Sequence, residues 1–267
     1  MEMIFKLCKY TIYMNSYNLT VITNIYNEEY LLPFWLNHHK KFFDHGIIVD
    51  YGSTDRSIEL CKAICPKWEI RKTRNLNFGA INADNELMDI EKTVEGIKII
   101  LTTTEFLFCD KPVNEVFNNL NISLSVKSYG PYIKKNIYPK KLSELIISLL
   151  DDSVVYIHEK SRGTRQLHTF KHGNYTVGRH YTKNITYPTD DFHIIWLGNF
   201  PFNEYIMKRK LEVKTKIPDS DVKVGFSYHH FFSEKQMLDI IYKNCEKGIH
   251  LRELNPILYR LLKSYKN

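Results

Sequence analysis

The chain has 267 residues, 43% hydrophobic and 25% charged, which excludes a disordered, collagen-like or disulfide-scaffolded protein. That length is enough for one large α/β domain or two small ones with a real core. The formal net charge is +7, and residues 201–267 hold 13 basic against 8 acidic side chains. Such a surplus suits phosphate-bearing small molecules or an anionic surface and does not by itself indicate nucleic acid.

The five cysteines, Cys8, Cys61, Cys65, Cys109 and Cys245, are odd in number and mostly isolated. Cys61 and Cys65 are one helical turn apart without the second pair that a structural zinc site needs, so reduced thiols and a cytoplasmic location are expected. Residues 1–18 mix Lys6, Lys9 and Asn15 into their apolar run and lack a clean signal-peptide core. No segment approaches the roughly 20 apolar residues of a membrane span, so at most peripheral membrane contact is expected.

The β-branched run 19–25 predicts a first strand, and residues 29–43 a helix with Pro33 in its first turn. A second strand over 46–50 closes in Tyr51-Gly52-Ser53-Thr54-Asp55, and a helix follows to Cys65, before Pro66. Residues 68–71 read as a third strand, 80–95 as a helix and 96–101 as a fourth strand. This alternation predicts a mixed, mostly parallel sheet covered by helices on both faces. After Glu105 the rhythm breaks. Residues 120–129 and 153–158 read as strands, 160–200 as long irregular loops, and 201–216, 233–247 and 251–265 as helices. One domain over 1–200 with a helical extension over 201–267 is the simplest division.

Ligands of open α/β sheets bind at the carboxyl ends of the strands, so the polar clusters 24–29, 50–55 and 102–105 should converge. Tyr26-Asn27-Glu28-Glu29, Asp50-Tyr51-Gly52-Ser53-Thr54-Asp55-Arg56-Ser57 and a hydrophobic strand ending in Thr104-Glu105-Phe106-Leu107 together resemble glycosyltransferase family 2 and its GT-A relatives. The match covers about the first 110 residues, and Asp-x-Gly-Ser-x-Asp-x-Ser is its most specific part. The resemblance implies a Rossmann-like GT-A fold. It further implies inverting transfer of a sugar from a nucleoside diphosphate sugar, a UDP-sugar, to a hydroxyl of a glycan or glycolipid acceptor.

It also implies roles for individual residues. Ile25, Asn27 and Glu28 would hold the nucleotide, Asp50 would contact the base with Ser53 beside it, and Asp84 would bind ribose or base. Thr103, Thr104 and Arg179 would complete the nucleotide-sugar site. The family carries Asp-x-Asp at the end of the fourth strand, where its carboxylates hold a divalent cation, Mn²⁺ or Mg²⁺. This chain has Thr102-Thr103-Thr104 there, and a hydroxyl brings a hard cation no charge. Three alternatives stand: Glu105 holds the metal with His180; the diphosphate is held without metal by Lys or Arg; or this chain is a catalytically impaired nucleotide- or glycan-binding protein.

The segment 160–183 supplies Lys160, Arg162, Arg165, His168, Lys171, His172, Arg179, His180 and Lys183, a dense set of cations and imidazoles. His229-His230 is a second candidate pair, of which a strand would turn only one inward. An inverting transfer needs a general base for the acceptor hydroxyl, and Asp191, then Asp190 and Glu204, are the candidates. A nucleotidyltransferase would want a Gly-rich basic loop after the first strand, which is absent, and no nucleic-acid-binding signature is present.

Overall fold

The computed structural model describes residues 18–109, 111, 113–117, 122–156 and 164–265. Cys8, Lys160 and Arg162 lie outside them. The first half alternates as the periodicity predicts: β1 (Leu19–Ile25), α1 (Leu32–His39), β2 (His45–Asp50), α2 (Ser57–Ile64), β3 (Glu69–Lys72), α3 (Ala80–Glu91) and β4 (Ile97–Ile100). These strands pair in parallel in the order β3-β2-β1-β4. Successive side chains of a strand point to opposite faces. Val21 and Ile25 of β1 therefore join α1 and α2 in one buried cluster, while Ile22 joins Ala83, Leu87 and Ile90 of α3 in another. Burial on both faces explains why β1 and β4 are mostly apolar and show no period-2 alternation, with Lys98 the one charge in β4.

The second half departs from the sequence reading. Glu105–Cys109 does not continue the fourth strand. It forms a separate strand, β5, at the far edge of an eight-stranded sheet of order β3-β2-β1-β4-β9-β6-β10-β5. A short α4 (Val113–Val116) follows, then β6 (Ser123–Tyr129), β7 (Pro131–Tyr132), an unanticipated α5 (Leu142–Asp152) and β8 (Val154–Val155). The segment read as irregular loops contains β9 (Arg165–His168) and the 11-residue β10 (Thr186–Trp196). β10 runs parallel to β6 and antiparallel to β5, with a register shift between Pro188 and His193. Proline supplies no ladder N–H, so the shift falls where the pairing is already interrupted. The first half of β10 is polar and largely exposed and the second buried on both faces, which left no period-2 signal.

An edge strand exposes unpaired backbone groups. Here side chains of α1 cover them. Trp35 Nε1 donates to Glu105 O at 2.9 Å, His38 Nε2 donates to Leu107 O at 2.6 Å, and His39 Nε2 accepts from Leu107 N at 3.2 Å. His39 Nδ1 donates to Trp35 O, which fixes the tautomer that leaves Nε2 an acceptor. Burial pushes His38 down to about 4 and His39 well below its ordinary range, so both are neutral anchors.

The C-terminal part consists of α6 (Glu204–Lys214), α7 (Asp219–Lys223), a 3₁₀ turn at Tyr228–Phe231, α8 (Glu234–Lys247), α9 (Leu251–Leu254) and α10 (Pro256–Ser264). The helix expected over 251–265 is interrupted at Asn255, whose side chain caps Leu258 N ahead of Pro256. α10 packs Leu258 and Leu262 into the cluster that holds Phe106, Phe108 and the α5 residues Leu145 and Leu149. No helix among the described residues is long and apolar enough to cross a membrane. Cys61, Cys65, Cys109 and Cys245 form no disulfide among the described residues.

Candidate functional site

The loops after β1 and β2 are laced together by the residues of the two N-terminal motifs. Asn27 sits at φ 51°, and its Oδ1 accepts from Thr54 N at 2.8 Å. Ser53 Oγ accepts from Asn27 N, Ser57 Oγ from Glu28 N and Asp55 Oδ2 from Glu29 N. Asp50 Oδ1 in turn caps Ser53 N at 2.9 Å. The Asp-x-Gly-Ser-x-Asp-x-Ser segment thus acts first as a clamp that fixes the mouth of the sheet.

Beside this clamp, at the carboxyl ends of β4, β6 and β10, lies a cavity of about 560 Å³. Thr102, Thr104 and Glu105 line it from the turn between β4 and β5. Arg165 enters from the start of β9, Gly178, Arg179 and His180 from the loop before β10, and Arg209 and Lys210 from α6. His229 and His230 enter from the 3₁₀ turn. A turn, unlike a strand, lets both adjacent histidines face the cavity. Arg209 and Lys210 were not singled out from the sequence, and Arg165 stood there only as one of the cations of 160–183. The signals that could have found them were the cation density of 160–183 and the basic surplus after residue 200.

Arg165 organises the floor. Its Nη2 and Nε meet Glu105 Oε1 and Oε2 at 2.7 and 3.0 Å, with both side chains more than nine-tenths buried. Its Nη1 donates to Gly178 O at 3.0 Å and to His180 Nδ1 at 2.9 Å. Thr102 N adds a bond to Glu105 Oε2. Burial alone would raise Glu105, but the Arg165 charge and these hydrogen bonds outweigh it and hold the carboxylate below its ordinary range. His180 is lowered to about 4 by burial and then by Arg165.

Arg179 sits at φ 58° after Gly178 at φ 83°, a left-handed pair that a side chain disfavours. Asp84 of α3 holds it there, accepting from Gly178 N at 2.7 Å and from Arg179 Nη1. Arg179 is 7% exposed, and its Nε has no hydrogen-bond partner among the described residues. Arg209 grips Glu28 through two bonds of 2.5 and 2.6 Å. Lys210 Nζ donates to Asn199 Oδ1 at 2.7 Å. His230 is lowered to about 2 by burial, by His229 and by Arg209 and Lys210.

The structure therefore gathers Thr104, Glu105, Arg179 and His180 on one cavity, with Glu28 and Asp84 just behind as partners of its arginines. Ile25 is buried core, and Thr103 is buried with its Oγ1 unpartnered among the described residues. Asp50, Asn27 and Ser53 belong to the clamp. The candidate bases Asp190, Asp191 and Glu204 do not line this cavity. Asp190 and Asp191 lie within β10 and not in a turn, and the ladder pairs Phe192 with Cys109 but Trp196 with Glu105. At about 3.3 Å per residue, Asp191 is some 16 Å along the strand from the Glu105 end. There it pairs with Lys111 at 2.7 Å. Glu204 starts α6, accepts from Tyr138 OH at 2.6 Å and does not line the cavity.

What the fold and site define is an α/β protein with a cation-lined cavity at the carboxyl edge of its sheet. No protein-family profile matches the sequence, and no curated protein matches it. Among solved structures, S. aureus TarS 1–349 is similar at 15% identity and TM-score 0.41, over 74% of this chain and 68% of that one. The same fragment in complex with UDP gives 14% and 0.40, over 84% and 75%. Glucosyl-3-phosphoglycerate synthase from Mycobacterium tuberculosis, in complex with Mn²⁺ and UDP-glucose, gives 15% and 0.32, over 43% of this chain and 44% of that one. At these values the likenesses assign neither ligand nor reaction to this chain.

Proposed function

We propose that this chain is a glycosyltransferase that moves a sugar from a nucleoside diphosphate sugar, a UDP-sugar, to a hydroxyl of a glycan or glycolipid acceptor. The observation that carries this reading is the cavity itself. Four cations, Arg165, Arg179, Arg209 and Lys210, line it, and Glu105, the one lining carboxylate among the described residues, is already neutralised by Arg165. Its volume falls in the range of small-ligand sites. In this reading the clamp residues Asn27, Asp50 and Ser53 take the nucleoside, and the adjoining Glu28 ties the clamp to the cavity wall through Arg209.

In this reading the diphosphate lies against Arg179 and Lys210, whose donors meet the charge that grows on the leaving group as the glycosidic bond breaks. The acceptor hydroxyl loses its proton to an imidazole, because Asp190 and Asp191 lie at the other end of β10. His230 is the candidate: it lines the cavity and its Nδ1 has no partner among the described residues. An anionic donor would offset Arg209 and Lys210, two of the groups that depress this imidazole, and raise its basicity.

A second reading, nucleotide or glycan binding without turnover, is favoured by the threonines at 102–104 and by the engagement of Glu105 with Arg165. Release of nucleoside diphosphate from a panel of nucleoside diphosphate sugars, measured beside binding of the same compounds, separates the two. Transfer or hydrolysis that falls at least about tenfold in Arg179→Gln supports the transferase, since lost donors at a developing charge cost that much or more. Binding without release favours the second reading, and neither binding nor release by folded protein overturns both.

A further inference from the structure

A donor diphosphate in this fold family is expected to be held through a divalent cation, and the residues present here do not fit one. Hard cations want several oxygen ligands that carry charge. The turn after β4 offers only hydroxyls, and Thr102 Oγ1 and Thr104 Oγ1 are bonded to each other at 2.9 Å. Both oxygens of Glu105 are taken, Oε1 by Arg165 and Oε2 by Arg165 and Thr102 N. A cation on Glu105 would have to displace a guanidinium from a pair that is 7% and 3% exposed, and then share the pocket with that positive charge.

His180 fails for a different reason. Its Nδ1 lone pair accepts from Arg165 Nη1, so the neutral ring carries its proton on Nε2. The neutral ring therefore keeps an N–H on Nε2 and no lone pair for a metal. No group of three or more His, Cys, Asp or Glu side chains among the described residues is arranged to hold a metal ion.

The same atoms suit an anion. Arg179 Nε is a buried N–H without a partner among the described residues, and an orphaned buried donor carries a desolvation cost that an anionic oxygen relieves. His180 Nε2–H and the Lys210 ammonium add donors from two other elements. Guanidinium groups match phosphate oxygens in pairs, with direction as well as charge.

We infer that this chain holds the donor diphosphate without a divalent cation, through Arg179, His180 and Lys210, with the net-neutral Arg165–Glu105 pair filling the place where the family puts its metal. The inference rests on the transferase reading, and its test keeps the two failures apart.

Titration calorimetry on the full chain with UDP, GDP and inorganic pyrophosphate, first in EDTA and then in Mg²⁺ or Mn²⁺, decides it. Binding in EDTA that metal tightens by no more than about twofold is the expected result, because every donor needed is a protein N–H. Binding that appears only with metal, or tightens about tenfold or more with it, overturns the inference and leaves the transferase reading standing. No binding of any probe under either condition, by folded protein, overturns the transferase reading itself.

Arg165 variants risk unfolding, so Glu105→Gln supplies the second arm. Glutamine keeps an acceptor for Arg165 and surrenders the neutralising charge, so affinity in EDTA should stay equal or rise by up to about tenfold. A loss of affinity in that folded variant overturns the inference.

Discussion

The two ends of the β5–β10 ladder carry the same chemical pair under different conditions. At one end Glu105 meets Arg165 with both side chains more than nine-tenths buried; at the other Asp191 meets Lys111 with the two side chains 34% and 55% exposed. Either pair measures 2.7 Å, so distance does not distinguish them. Burial does. An exposed pair gives up little on breaking because water replaces the partner. A buried charge left alone has nothing to replace it. The carboxylate that matters here is therefore set by which end of the strands the cavity occupies, and not by the density of acidic residues in the sequence.

Breaking the buried pair gives the largest effect. Arg165→Met should destabilise by about 3–5 kcal/mol in chemical denaturation, the cost of stranding Glu105 in the core. If the variant loses less than about 1 kcal/mol, Glu105 is better solvated than its 3% exposure indicates.

Acid sharpens the comparison from the α1 side of β5. His38 is held near 4 against an ordinary 6.5, so the unfolded chain takes up a proton that the folded chain refuses. Stability should be intact above pH 6.5 and fall as pH drops to 4, by about 3 kcal/mol from His38 alone. His39 acts in the same direction, and its protonation would also remove the acceptor for Leu107 N. Glu105 adds to the loss at lower pH, since a carboxylate held below its ordinary range contributes above its unfolded pKa and loses that contribution as pH falls through its folded one. A stability profile flat between pH 7 and 4 would contradict the neutral-anchor role of both histidines.

The smallest effect belongs to the exposed end. Asp191→Asn should change stability by no more than about 0.5–1 kcal/mol, because the Lys111 pair is solvated. Turnover should be unchanged, since Asp191 lies at the far end of β10. A large fall in turnover with normal stability would return Asp191 to the site.

How far the sequence could be read follows the same division. The four parallel strands and their helices were legible because each burial pattern repeats within one short segment: Val21 and Ile22 face opposite layers, and β4 is apolar but for Lys98. The clamp of Asn27, Asp50, Ser53 and Ser57 was legible as a motif for the same reason. Thr104 and Glu105, reached by strand-end reasoning, and Arg179 and His180, reached through the family resemblance, line one cavity. The sequence could not tell that Thr104-Glu105 opens a new edge strand, since nothing local distinguishes a continued strand from a crossing to the far side of the sheet. Nor could it find β10, half exposed and half buried on both faces, and with that strand went the position of Asp191.

What the sequence by itself determined is the layered α/β half, its laced loops and a cationic surplus waiting for an anion. Only the tertiary structure decided which cations meet. Arg165 and Glu105 are 60 residues apart, and Arg209 and Glu28 are 181. Periodicity encodes which face a residue turns inward, which is a local property of a helix or strand. Partnership across the sheet depends on strand order and register, and these are set by the packing of the whole chain.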